Sequence, residues 1–290
     1  MSSRTSIFML LLLLTCCLVE MQETTAYGDA DLFYSLGNPS EKQFLTTELE
    51  EISGLTYLDS GILGCIQDEE GIFFKYDFNK ETVVERIRFH GNGDFEGVEI
   101  VGDRVYAIES NGDLRHWNIN ETFEPDAKKI ETPLSSKNDV EGLGYLEEKN
   151  YILMACKGDP DYDDHNEKGE AIYVFDIDRG EMLEDALFTI EEEDIEEFIE
   201  DFIGEKIKDV EFNPSAIALH PLEERYYVMA SSGNLLVILN ADYEIENVVT
   251  LDPAVFRQPE GICFAPDGTM YISSEGRGFS AFILKFDYAN

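Results

Sequence analysis

Apolar residues fall along this chain in short runs that alternate with polar ones, are broken by turn residues, and recur in the same order. The stretch from Gln258 to Glu275, QPEGICFAPDGTMYISSE, shows the unit: a small residue, the apolar run Ile262–Ala265, a Pro-Asp-Gly turn, and an alternating run through Met270, Tyr271 and Ile272. Period-two runs of this length predict strands, and Asp-Gly between two of them predicts a hairpin. The unit returns as EISGLTYLDSGILGCIQD from Glu51, FEGVEIVGDRVYAIES from Phe95, VEGLGYLEEKNYILMACK from Val140 and PSAIALHPLEERYYVMASS from Pro214. A third strand follows each copy (IFFKYDF, LRHWNI, AIYVFDI, LLVILNA, AFILKFD), and TVVERIRF and ALFTI supply a fourth in two of them.

Gly54, Gly97, Gly142, Ala216 and Gly261 hold one register, with spacings of 43, 45, 74 and 45 residues. Repeats of about forty residues with four strands each predict an all-β fold, a single β-propeller. Five copies make five blades, and the long interval leaves room for a sixth. That interval also carries Glu191–Lys208, where Ile195, Phe198, Ile199 and Phe202 fall at helical spacing among acids. It predicts an inserted amphipathic helix, either covering a blade edge or acting as a lid. The last copy reaches Asn290 after three strands, while DLFYSL from Asp31 precedes the first copy. The N-terminal segment is therefore expected to complete the last blade and leave no open edge. This makes residues 31–290 the propeller domain and Cys17–Ala30 a flexible polar tether.

The first sixteen residues read as an export signal: Arg4 gives positive charge and Ile7–Leu14 an apolar segment too short to span a membrane. Leu13-Leu14-Thr15-Cys16 resembles a bacterial lipoprotein signal, with Cys16 as the lipidated residue; ordinary cleavage after Thr24-Thr25-Ala26 is the alternative. Both readings place the protein outside the cytoplasm, lipid-anchored in the cell envelope in the first case and secreted or periplasmic in the second. Behind the leader only Cys65, Cys156 and Cys263 remain, each inside a strand pattern, so no disulfide framework is expected.

Charge narrows the function. Lys and Arg total 21 against 61 Asp and Glu, a formal charge of −40. Nucleic-acid binding needs a basic footprint and is excluded on this composition. In a propeller the residue entering each innermost strand and the loop leaving strand two open on one face. Glu96, Glu141 and Glu260 share that entering register, with Ser53 and Ser215 in the other copies. Asp68, Glu109 and Glu275, with Lys157 as the exception, follow the second strands and are expected on the same rim. Converging carboxylates repel unless a cation neutralises them or they hold protons, and calcium suits a flexible oxygen-lined site. The bland alternative is that each glutamate accepts backbone N–H groups between blades, helped by Lys157. A second acidic stretch, GDPDYDDHNEKGE, sets Asp159, Asp161, Asp163 and Glu170 at EF-hand-like spacing. Asp164 stands where that loop needs glycine, so a solvated hairpin tip competes with a calcium loop.

Catalytic motifs are sparse. There is no G-x-S-x-G elbow, His90 is the one histidine placed near the expected mouth, and Cys156 beside Lys157 reads as core. Glu51–Leu55 (EISGL) and Ala155–Gly158 (ACKG), with Pro259–Ile262 (PEGI), resemble the SdiA-regulated family of bacterial envelope propellers. The family is related in fold to NHL-repeat, strictosidine synthase-like and phytase-like propellers. The resemblance implies an exported propeller and carries over no catalytic motif. The expected function is a monomeric envelope module binding a ligand or a protein, with calcium at its acidic mouth and the membrane reached only through a lipid anchor. The alternative is a calcium-dependent phosphoesterase or lactonase in which Glu96, Glu141 and Glu260 hold the metal.

Overall fold

The computed structural model describes residues 23–162 and 168–289. Twenty-two strands form five antiparallel sheets. Blade 1 is Ile52–Asp59, Ile62–Gln67, Glu70–Asp77 and Thr82–Asn92, and blade 2 is Phe95–Val101, Arg104–Glu109, Leu114–Asn118 and Lys128–Ile130. Blade 3 is Val140–Leu146, Tyr151–Cys156 and Glu170–Asp176, with an outer strand split into Glu181–Met182 and Phe188–Ile190. Blade 4 is Asn213–Leu219, Tyr226–Ser232, Leu235–Leu239 and Ile245–Thr250; blade 5 is Pro259–Phe264, Met270–Ser274 and Phe282–Phe286 plus an N-terminal strand. Innermost strands touch their neighbours in the order 1-2-3-4-5-1, so the ring closes. Among the described residues no sixth blade occupies the long interval.

Five apolar clusters hold the ring, one between each pair of adjacent blades. Strands buried on both faces supply side chains to both neighbouring clusters, which is why Leu235–Leu239 is apolar at every position. Cys65, Cys156 and Cys263 are buried in these clusters as free thiols.

Each inner strand pairs with its neighbour through a bulge at its entrance. The register skips one residue between Ile52 and Gly54, Phe95 and Gly97, Val140 and Gly142, Pro214 and Ala216, and Pro259 and Gly261. The skipped residues are Ser53, Glu96, Glu141, Ser215 and Glu260. A bulge leaves its extra residue unpaired and re-aims the side chain, which accounts for the acid-glycine pairs of the repeat. The glycine after the bulge lets the next blade approach the axis: a Cβ at Gly97 would lie 2.8 Å from the Leu143 amide nitrogen, and one at Gly142 2.9 Å from Ala216 Cα.

The ring is closed by the N-terminal segment, though by a different stretch than Asp31–Leu36. Glu41–Phe44 pairs antiparallel with Phe282–Phe286 and completes blade 5. Only Gln43 of these four is buried, so an outer strand facing water left no apolar pattern to read. The alternating Leu32, Tyr34 and Leu36 instead form an irregular strap whose Tyr34 and Leu36 insert between blades 4 and 5. The expected tether is likewise partly structured, since Thr25–Tyr27 adds a fifth strand to the outer edge of blade 4. Cys16 and the rest of the leader lie outside the described residues.

Tyr34 bolts the strap down. The Leu222 N–H donates to His220 Nδ1 at 3.1 Å, so the neutral ring carries its proton on Nε2 and donates to Tyr34 Oη at 2.6 Å. Tyr34 in turn donates to the Gly268 carbonyl at 2.5 Å. Burial, reinforced by nearby Arg225, pushes His220 down to about 4 and keeps it neutral. Tyr34→Phe orphans both partners and is expected to lower the unfolding free energy by about 1–3 kcal/mol, measured by urea denaturation.

Helix α1 (Glu192–Ile203) matches the predicted insertion, with Ile195 and Ile199 buried between blades 3 and 4. It ends at Gly204, whose left-handed φ of 74° gives a C-terminal cap. The helix lies against the outer strands Ile245–Thr250 and Thr25–Tyr27. It covers a blade edge, and none of its residues reaches the mouth of the channel as a lid would.

Candidate functional site

At the mouth of the channel the bulges turn Glu96, Glu141 and Glu260 into one pocket of about 210 Å³. Asp68, Lys157 and Glu275, from the ends of second strands, line the same pocket, with Glu51, Ser231, Ser232, Gln258 and Arg277. Below it, Leu55, Val98, Leu143, Ala216 and Ile262, with the register residues Ser53, Glu96, Glu141, Ser215 and Glu260 themselves, close around a space of only about 10 Å³. That is about the volume of one water probe, so the pocket is blind. It has carboxylate walls and an apolar floor.

The two serines of the register spend their hydroxyls on the ring itself: Ser53 donates to the Phe95 carbonyl at 2.6 Å and Ser215 to that of Pro259 at 2.7 Å. The glutamates do not follow the same pattern. Glu141 accepts from Lys157 Nζ at 2.8 Å, Glu260 accepts from Gln258 Nε2 at 2.5 Å, and Glu96 has no hydrogen-bond donor among the described residues. Backbone N–H groups between blades therefore do not hold these carboxylates.

The electrostatics follow from that placement. Burial, then the charges of Glu141, Asp94, Glu260 and Asp68, push the Glu96 carboxyl up to about 9. Burial, with Glu141 and Glu275 adding to it and the Gln258 hydrogen bond opposing, takes Glu260 up to about 8. Glu141 is also raised by burial, against the pull of Lys157. Burial and neighbouring Glu51, Glu69 and Glu275 bring Asp68 to about 6. Crowding and burial over an apolar floor thus favour the protonated forms of these carboxyls. Among the described residues no group of three or more His, Cys, Asp or Glu stands ready as a metal cage.

The sequence profile of a family described as SdiA-regulated matches residues 40–283. The chain belongs to the SdiA-regulated family. No curated protein matches it by sequence. Among solved structures, the glutaminyl cyclase of Myxococcus xanthus is similar at 12% identity, covering 87% of this chain and 96% of that one with a TM-score of 0.59. A luciferin-regenerating enzyme is similar at 10% identity over 91% and 95% of the two chains, with a TM-score of 0.49. At 12% identity the likeness to the cyclase shows the fold alone.

In this SdiA-regulated protein other sequence candidates fall elsewhere. Glu109 does not line the mouth: its Oε1 meets Arg115 Nε at 2.8 Å across the same blade. His90 sits in the outer strand of blade 1 with its ring against Phe95, away from the pocket lining. Burial pushes the Cys156 thiol up to about 12, the reverse of an activated nucleophile. In the EF-hand-like stretch, Asp159 Oδ1 accepts from the Asp161 N–H at 3.1 Å, and Asn138 Nδ2 bonds the carbonyls of both residues. Glu170 opens the third strand of blade 3 and meets helix α1; burial and the charge of Glu192 raise it to about 8. Asp163 lies outside the described residues, and Asp159, Asp161 and Glu170 form no metal cage.

Arg277, Gln258, Ser231 and Ser232 join the mouth without having been expected there. Ser231 and Ser232 close the second strand of blade 4, the position of Asp68 and Glu275 in their blades, but uncharged serines send no signal. Arg277 follows Glu275 in the same loop, and its φ of 45° belongs to the left-handed region that non-glycine residues seldom adopt.

Proposed function

We propose that this SdiA-regulated propeller is a ligand-binding module of the cell envelope whose channel mouth takes up a cation. The observation that carries this reading is the bulge geometry, which aims three glutamates from three blades into one blind pocket and leaves Glu96 without a donor. A positive ligand offers these carboxylates the neutralisation that protons otherwise supply. Calcium is the first candidate, because it accepts carboxylate and water oxygens together in a loose shell. With no preformed cage, it would enter with part of its water. An organic ammonium offers the same charge with N–H donors. The leader-like sequence supports a site of action outside the cytoplasm.

Calorimetric titration with calcium chloride and, separately, methylammonium chloride tests the reading. Binding of at least one cation is expected, and Glu96→Gln combined with Glu260→Gln is expected to weaken it by about ten-fold or more, about 1.4 kcal/mol. Absence of binding by both, or an unchanged affinity in the double variant, overturns it.

A further inference from the structure

We propose that the groove between helix α1 and the outer edge of blade 4 docks a basic, amphipathic segment of a partner protein. The helix has three working faces. Ile195 and Ile199 enter the core. Glu192, Glu196 and Glu200, one helical turn apart, accept the backbone N–H groups of Phe212, Val210 and Ile207 at 3.0, 3.2 and 3.0 Å, and so hold the returning loop. The third face carries Asp194, Glu197 and Asp201, an i, i+3, i+7 stripe. These three are exposed and make no ion pair among the described residues.

That stripe walls a groove of two adjoining cavities, about 360 and 430 Å³, which share Phe198 and Asp201. The groove is more than an acidic patch. Its apolar surface comes from Phe198, Tyr243 and Ile245, and Phe202 at its far end is 48% exposed. Glu244 faces the helix from the opposite wall, and among the described residues no Lys or Arg lines either cavity. Carboxylates above aromatic and aliphatic side chains fit Lys or Arg, whose methylene stems lie on apolar surface and on rings while the charged heads reach the acids. The combined volume and apolar lining suit a segment with alternating basic and apolar residues. A small cation would leave the apolar surface bare, and an anionic membrane would be repelled by the stripe.

Fluorescence anisotropy of a labelled short amphipathic Lys/Leu peptide against the full chain tests this. Asp194→Asn, Glu197→Gln and Asp201→Asn together are expected to weaken binding by about ten-fold or more. Glu81→Gln, Glu121→Gln and Glu147→Gln together remove the same charge elsewhere and are expected to change it less than about two-fold. Phe202→Ser is expected to weaken the Lys/Leu peptide and leave a Lys/Ser peptide of equal charge unaffected. Equal losses from both triple variants, or equal binding of both peptides, would show attraction to net charge alone and overturn the proposal. Glu96→Gln with Glu260→Gln is expected to leave peptide binding unchanged, so the groove and the channel mouth fail or stand separately.

Discussion

Gly142→Val is expected to lower the unfolding free energy by about 3 kcal/mol or more. Around the axis, inner strands pack backbone to backbone on the next, and the small residue after each bulge, glycine in four blades and Ala216 in blade 4, sits where they meet. A Cβ at Gly142 would stand 2.9 Å from Ala216 Cα, and one at Gly97 2.8 Å from the Leu143 nitrogen. Both obstacles are backbone atoms, which a rotamer change cannot clear. Relief requires one blade to move outward, and in a closed ring that strains the other interfaces as well. Overpacking of this kind costs about 3 kcal/mol or more, a large part of a typical stability of about 5–15 kcal/mol. Gly91→Ala is the control: a Cβ there meets nothing within 4 Å, and a change within about 0.5 kcal/mol is expected. Urea unfolding curves of the two variants check both; a well-folded Gly142→Val protein would mean that the ring is looser than its axis contacts indicate.

The second large effect is on pH dependence. In the unfolded chain glutamates ionise near their ordinary value of about 4.3, whereas in the folded mouth Glu96 and Glu260 hold protons up to about 9 and about 8. Between those limits the folded state binds more protons, so the stability these groups contribute is present below about pH 4.3 and is lost as pH rises through 8 and 9. His220 acts in the opposite direction: the folded ring stays neutral down to about 4, so stability also falls as pH drops below about 6.5. A maximum in mildly acidic solution is expected. Glu96→Gln with Glu260→Gln should lessen the alkaline decline and raise stability at pH 9 by about 2 kcal/mol or more, which is about 4–8 °C in unfolding temperature. Scanning calorimetry across pH measures this, and an identical slope in the double variant would contradict shared protons at the mouth. If a cation replaces those protons, calcium or methylammonium should recover the wild-type loss at pH 9.

How much was legible depended on whether a residue carried an apolar or charged signal. The three inner strands of all five blades were, because each is buried on at least one face and shows it in its side chains. Helix α1 was legible for the same reason, since Ile195 and Ile199 must reach the core. The strand Glu41–Phe44 was not: on an outer edge, its pairing is made by backbone groups that every residue possesses. Leu32, Tyr34 and Leu36 misled because a strap wedged between blades is buried like a strand without pairing like one. At the site, charged residues in register led to Glu96, Glu141, Glu260, Asp68 and Glu275. Glu109 shared that register but turned to Arg115, a partner set by pairing within the blade.

From the chain alone came the propeller, its repeat, and the presence of acids at the entrances of three blades, because local periodicity and turn chemistry are written in consecutive residues. Only the closed ring decided that a bulge would expel Glu96, Glu141 and Glu260 from their ladders, that an apolar floor would lie beneath them, and that Lys157 would neutralise one and leave Glu96 unpaired. Those outcomes depend on distances between residues far apart in the chain, and such distances exist only once the blades have packed around their axis.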